Sequence, residues 1–288
     1  LNYWKGVLSG APDLLALPID RPRPAVYRYE GGKVRFTISS ELTTQLKKLA
    51  EQETATLFMV LLGAYSALLS RMSGIKDIVV GYPIAGRKHK EIESLIGCFV
   101  NTLLLRSEFS DDMTFRQVLS QVRWATTHAY DHQELPFEKL VDEMQPERNL
   151  SYNPLFQVVF LFQNVPFEFP DFPGMEVLPR DDQQFTPGAT FDMTMVMMEE
   201  RGHLQAELEY NRALLDQETI ERFCSMYCVL LEAAVQQPDR SIMQLEILDT
   251  TTRHELIWGR NETKADCPAD AVSRLFERQV EESPDSIA

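Results

Sequence analysis

Thr56-Leu-Phe-Met-Val-Leu-Leu-Gly-Ala-Tyr-Ser-Ala-Leu-Leu-Ser-Arg71, followed by Asp77-Ile-Val-Val-Gly-Tyr-Pro-Ile84, decides the architecture. The first stretch predicts a helix apolar on most sides, and such a helix is a buried one. The second predicts a short apolar strand that ends in the turn Ala85-Gly86-Arg87. Working outward, Gly31-Gly32 reads as a turn into the alternating strand Val34–Ile38, and Ser40 caps a helix to about Glu53. Phe99–Phe109 reads as a strand with Leu103, Leu104 and Leu105 in an unbroken run, a pattern of strands covered on both faces. Thr114 caps a helix to about Tyr130, and a shorter helix follows Pro136. Leu155–Phe162 reads as a buried strand. Phe191–Met198 and Leu204–Tyr210 form a hairpin around Glu200-Arg-Gly-His203. Asp216 caps a long helix that Pro238 ends. From Ser241 the chain is thinner and more polar, with one late helix over about Ala271–Glu282. Upstream, Leu1–Leu8 reads as the end of a helix, followed by an arm that Pro12, Pro18, Pro22 and Pro24 keep irregular. Strands alternating with helices predict an α/β fold, a mixed β-sheet covered by helices.

The 288 residues are 44% hydrophobic and 25% charged, enough to build a sizeable core. The net charge of −15 argues against a nucleic-acid partner, which would require basic surface to neutralise phosphates. The apolar run Leu57–Leu69 is shorter than the ~20 residues of a membrane span, so no membrane partner is expected. The four cysteines, Cys98, Cys224, Cys228 and Cys267, form no CxxC pair. Cys224 and Cys228 fall on an apolar periodic stretch and read as buried free thiols, which suits a reducing, cytoplasmic setting.

No phosphate-cradling glycine loop, HExxH or GxSxG is present. His128 and His132 stand four apart, a spacing that can place two metal ligands on one helix face, but no third ligand lies near. A capping or hydrogen-bonding role fits both better, and no metal is expected. His89, His203 and His254 read as solvated. Spacing alone assembles no nucleophile–histidine set.

Four segments nevertheless act together. Val80-Gly-Tyr-Pro-Ile-Ala-Gly-Arg87 resembles the GxPxAGR turn of condensation domains in nonribosomal peptide synthetases. Ile96-Gly-Cys-Phe-Val-Asn-Thr-Leu-Leu-Leu-Arg106 resembles their GxFVNTLxLR block, and His132-Gln-Glu-Leu-Pro-Phe-Glu138 their HQDxPFE block. Asn153-Pro-Leu-Phe-Gln-Val158 resembles their NPLFQVxF block. All four stand in the family order, and the likeness covers about residues 1–250. Arg148-Asn-Leu-Ser-Tyr-Asn-Pro-Leu155 departs from the family's RDxSRNPL, with Tyr152 where an arginine is usual. The family's HHxxxDG motif, which belongs to an N-terminal lobe, is absent.

The resemblance implies the C-terminal, acceptor-side lobe of a condensation domain, of the chloramphenicol-acetyltransferase type. That lobe works with the N-terminal lobe of the same domain and with upstream and downstream carrier-protein domains, whose phosphopantetheine arms carry the thioesters. It implies no catalytic residue in this chain, which alone should be inactive. Arg87 is implied as the partner of the aspartate in the missing motif, and Asn153 as a hydrogen-bond donor near the reaction tunnel. Thr190-Phe-Asp-Met-Thr-Met-Val196 resembles the family's FDLTL strand, which places residues 163–190 in a crossover that reaches from this lobe. Ala271–Ala288 resembles the opening of adenylation domains. The expected organisation is therefore a lobe over 1–241, a linker over 242–268 and the start of an adenylation domain over 269–288. An epimerisation domain and a non-catalytic docking module are the competing readings. The first has different blocks at Phe99–Thr102 and His132–Glu138. The second is marked by a degenerate HHxxxDG upstream.

Overall fold

The structure, a computed structural model, describes residues 1–87, 90–92, 95–146, 149–163, 174, 188–263 and 270–284. It divides into two compact units, Leu1–Leu248 and Asp249–Ala288. The first unit holds α1 (Asn2–Leu8), β1 (Gly31–Ile38), α2 (Ser40–Gln52), α3 (Leu57–Ser73), β2 (Asp77–Ile84), β3 (Asn101–Glu108), α4 (Phe115–Asp131), α5 (Phe137–Met144), β4 (Val158–Gln163), β5 (Met193–Glu200), β6 (His203–Asn211) and α6 (Gln217–Gln236). Among the described residues the strands form one sheet in the order β1-β6-β5-β4-β2-β3. Pairs β2–β4 and β4–β5 are parallel and the others antiparallel, so the sheet is mixed and the α/β expectation holds.

α3 is the central core helix. Thr56 caps it, its hydroxyl accepting from the Met59 N–H at 3.3 Å, and Gly74 ends it in the left-handed conformation. Every residue from Met59 to Ser70 is buried, which explains the nearly continuous apolar sequence. Tyr65 packs on Phe160 of β4 and edge-on to Phe223 of α6. One face of the sheet, carrying Val80, Tyr82, Leu103, Leu105, Phe160, Met195 and Leu208, is buried against helices. On the other face Arg106 of β3 pairs with Asp77 at 2.7 Å and donates to the carbonyls of Val7 and Ser9 at the end of α1. Farther along that face, Lys33 and Arg35 of β1 pair with Glu207 of β6.

Several local expectations shift. Gly31 and Gly32 open β1 instead of turning into it, because the ladder with β6 runs back to Gly31–Asn211. The fourth strand starts at Val158, not Leu155. Leu155 has a positive φ of 68°, and the chain there turns the Phe156 ring into the sheet. The β5–β6 turn falls at Arg201-Gly202, both with positive φ, a type I′ hairpin turn. The first unit also extends past residue 241: Ile242 and Leu245 are buried, and Arg71 donates to both of their carbonyls, at 2.9 and 2.6 Å.

Cys224 and Cys228 are free thiols on α6, the first buried and the second half-buried. Burial pushes them up to about 12 and about 11. Among the described residues no single helix is long and apolar enough to cross a membrane.

The second unit contains α7 (Thr250–Ile257), capped by Asp249, and α8 (Val272–Glu282). α7 was not legible in the sequence, its apolar residues being too few to mark a face. Val272 and Phe276 of α8 are exposed and Leu275 is half-buried. The crossover expected over 163–190, with Phe167, Phe169, Phe172 and Phe185, falls almost wholly on residues 164–187. Of these only Gly174 is described, so it lies outside the described residues, as do His89, Arg148 and Cys267.

Candidate active-site cleft

The sheet splits between β2 and β4. These strands pair only at Gly81–Val159. Two residues on, Pro83 has no N–H to add to a ladder. Beyond that point the carboxyl ends of the strands separate around a cleft of about 830 Å³. β2 leads to its neighbour β3 on one side and β4 to β5 on the other, which is the kind of switch point where open α/β sheets bind ligands. The cap Thr56 and first residues of α3 (Leu57–Met59), the turn Pro83–Arg87, Val100, Tyr130, Gln133 and the end of β4 (Leu161–Gln163) line the cleft. Burial pushes the Tyr130 phenol above its ordinary range, so it stays a neutral hydrogen-bonding group.

The four blocks build this region. In the turn after β2, Gly86 has φ of 65°, and a side chain there would run into the Phe99 carbonyl oxygen. Arg87 donates to the carbonyls of Ile92 and Gly97, the latter at 3.3 Å, and its guanidinium lies 4.4 Å from the centre of the Phe99 ring. It therefore gathers the segment between β2 and β3.

Asn101 opens β3 and fastens the next block. Its amide donates to the carbonyls of Gln133 and Leu135 at 2.8 and 2.9 Å, and its oxygen accepts from the Phe137 N–H at 3.0 Å. His132 ends α4, stacks on Tyr3 with centroids 4.1 Å apart and donates from Nδ1 to the His128 carbonyl at 2.9 Å. His128 donates likewise to Trp124 at 2.7 Å. Both are helix-end hydrogen bonders, and among the described residues no group of three His, Cys, Asp or Glu side chains is placed to hold a metal.

The last block supplies Phe156, which lies over Gly81 and packs on Phe137 and Phe191 at 5.4 and 5.2 Å. Gln157 is 2% exposed. Its oxygen accepts from the Leu15 N–H at 2.7 Å, and its amide donates to the carbonyls of Asp13 and Asn153. Asn153 donates to the Thr190 carbonyl at 2.6 Å, tying the entry of β4 to the approach to β5.

The structure does not bring the two expected site residues together. Arg87 follows the carboxyl end of β2, whereas Asn153 precedes the amino end of the parallel strand β4. Arg87 lines the cleft and Asn153 does not.

Around Asn153 lies a second polar centre that the sequence reading missed. Asp192 is 1% exposed and accepts hydrogen bonds from both terminal guanidinium nitrogens of Arg23, from the proline-rich arm. Burial pushes the Asp192 carboxyl above its ordinary range, and Arg23 offsets this only in part. Asn101 and Gln157 stand inside the quoted blocks and Asp192 inside Phe191-Asp-Met, so the positions were visible but their partners were not.

Residues 1–257 match the family model of the condensation domain, and the chain belongs to the condensation-domain family of nonribosomal peptide synthetases. It is 44% identical over 289 residues to one of the linear gramicidin synthase proteins of Brevibacillus parabrevis, covering 100% of this chain and 6% of that protein. It is 39% identical over 295 residues to one of the plipastatin synthase proteins of Bacillus subtilis, covering 99% of this chain and 11% of that one. The chain thus spans a small part of the curated relatives it matches. Among solved structures it is similar to the four-domain nonribosomal peptide synthetase holo-AB3403 bound to AMP and glycine, with a TM-score of 0.83 and 26% identity over 100% of this chain and 23% of that one. The X-domain from teicoplanin biosynthesis follows at 0.79 and 25%, over 86% of this chain and 56% of that one. The mixed sheet and its helices are those of the chloramphenicol-acetyltransferase-like lobe.

Proposed function

We propose that this chain is the acceptor-side, C-terminal lobe of a condensation domain that joins carrier-bound aminoacyl or peptidyl thioesters by an amide bond. In that reaction the acceptor amine forms an N–C bond to the donor carbonyl. The C–S bond breaks, and the donor's phosphopantetheine thiol leaves with the proton lost by the amine. The observation that carries the reading is the cleft at the β2–β4 split, walled by the blocks that define the family. Thr56, Gln133 and Gln163 suit the amides of a pantetheine arm, and the apolar walls suit its methylene and methyl groups.

In this reading the N-terminal lobe supplies the histidine that handles the amine proton, and the chain alone is inactive. Upstream and downstream carrier-protein domains deliver the thioesters. Residues 1–248 form the lobe, past the expected end at 241, with 249–268 a linker and 269–288 the start of an adenylation domain, in a cytoplasmic synthetase. Arg87 meets the aspartate of the other lobe's HHxxxDG at the cleft rim. Asn153 supports the site from a distance, by fixing the chain at Thr190.

The test is single-turnover dipeptide formation in the complete synthetase carrying Ile84→Trp, which narrows the cleft from its wall. Loss of product with both carriers still loaded supports the assignment, and an unchanged rate removes it. A docking module is the second reading, favoured by the likeness to the teicoplanin X-domain solved in complex with OxyB, at a TM-score of 0.76 and 25% identity. An intact HHxxxDG upstream argues for the enzyme and a degenerate one for the module.

A further inference from the structure

We propose that the cleft selects an uncharged, apolar side chain on the acceptor aminoacyl group, with Val100 and Leu161 as specificity-determining residues; this rests on the amide-forming reading above. Leu57 and Phe58 from the start of α3, Ile84 from β2, Val100 ahead of β3, and Leu161 and Phe162 from β4 surround one space. Five of these are half-buried, so the core holds them in place and the wall does not rearrange around each guest. A charged side chain entering this space gives up hydration against these apolar side chains. An apolar one gains from the same transfer.

The two residues have different standing. Leu161 lies on the sheet face opposite to that of Phe160, which packs under α3, so its side chain is not part of the main helix-side core. Val100 is 63% exposed and sits at the mouth, where substitution alters the cleft and not the core. The uncharged polar members of the wall, Thr56, Tyr130, Gln133 and Gln163, serve the backbone-like amides of the substrate. The guanidinium of Arg87 at the rim is turned onto the Ile92 and Gly97 carbonyls and the Phe99 ring.

The experiment uses the complete multidomain protein that contains this segment. The upstream carrier is loaded with a leucyl group, and the downstream carrier in turn with leucyl, phenylalanyl, aspartyl or lysyl groups. Dipeptide formation is followed in single turnover by intact-protein mass. Leucyl and phenylalanyl acceptors are expected to react at least ten-fold faster than aspartyl and lysyl. Val100→Asp is expected to slow the leucyl acceptor at least five-fold and to speed the lysyl one. Leu161→Gln is expected to narrow the gap between apolar and charged acceptors. Leu150→Asp, at an exposed site near the opposite end of the sheet, is expected to change neither rate. Equal rates for all four acceptors, or a preference that Val100→Asp and Leu161→Gln leave intact, would overturn the selectivity and leave the amide-forming reading standing. No dipeptide from any acceptor, with both carriers shown to be loaded, would overturn both.

Discussion

Gly81→Ala joins three of the four family blocks in a single perturbation. A Cβ at Gly81 would lie 2.7 Å from Cδ2 and 2.8 Å from Cζ of Phe156, about 1 Å inside ordinary carbon–carbon contact. The Phe156 ring has little room to retreat, being 3% exposed and flanked by Phe137 and Phe191. Overpacking of this kind costs about 1–3 kcal/mol. With a urea slope of about 3 kcal/mol/M for a unit of this size, the midpoint should fall by roughly 0.3–1 M. Phe156→Ala alone should cost about 3–5 kcal/mol through the cavity it leaves. The double variant relieves the clash, so its cost should fall short of the sum by about 1 kcal/mol or more. The assay is urea unfolding of wild type, both single variants and the double variant. Additivity within about 0.5 kcal/mol would refute the claim that Gly81 is glycine because Phe156 covers it.

Further expectations follow from other contacts. Asp192→Ala leaves the Arg23 guanidinium without its buried partner and should cost about 3–5 kcal/mol in urea unfolding, whereas a paired Arg23→Met, Asp192→Leu replacement should recover most of it. Asn101→Ala removes the clamp on Gln133, Leu135 and Phe137 and should cost about 1–3 kcal/mol, with the amide protons around α5 exchanging faster with solvent. Burial alone would raise the Glu207 carboxyl, but bonds from Lys33 and Arg35 win and hold it below its ordinary 4.5. Its contribution, below about 1 kcal/mol, is therefore present above the unfolded value and lost as pH falls through the folded one. The stability gap between wild type and Glu207→Gln should shrink accordingly on acidification below about pH 4.5. In the native protein at pH 8, a thiol reagent should modify the exposed Cys98 well before Cys224 and Cys228, whose thiols burial keeps protonated.

Local signals carried the elements, and long-range pairing carried the site. The apolar run of α3 and the capping hydroxyls of Thr56 and Thr114 speak through neighbours in sequence, and the structure places those helices where the spacing put them. The Arg201-Gly202 turn was legible for the same reason. The parallel register of β2 and β4 has no local signature, so nothing in the sequence said that Arg87 and Asn153 would stand at opposite ends. The pairing of Arg23 with Asp192 spans 169 residues and was equally silent. Leu155 and Phe156 look like strand residues because they are apolar. Only the three-dimensional fit of Phe156 over Gly81 shows why the chain leaves the sheet there. The family blocks were legible as words. Their physical work, in which Asn101, Gln157 and Arg87 each bind main-chain groups of other segments, became visible only in the fold.

The central claim is that this chain supplies one wall of an amide-forming site whose proton-handling histidine lies on another lobe. The most direct measurement presents loaded donor and acceptor carrier proteins to the purified chain alone, and then to the chain together with the separately expressed N-terminal lobe, with dipeptide on the acceptor carrier read by intact mass. The account predicts no dipeptide from the chain alone and its appearance when the second lobe is added. Dipeptide formation by the chain alone would contradict it.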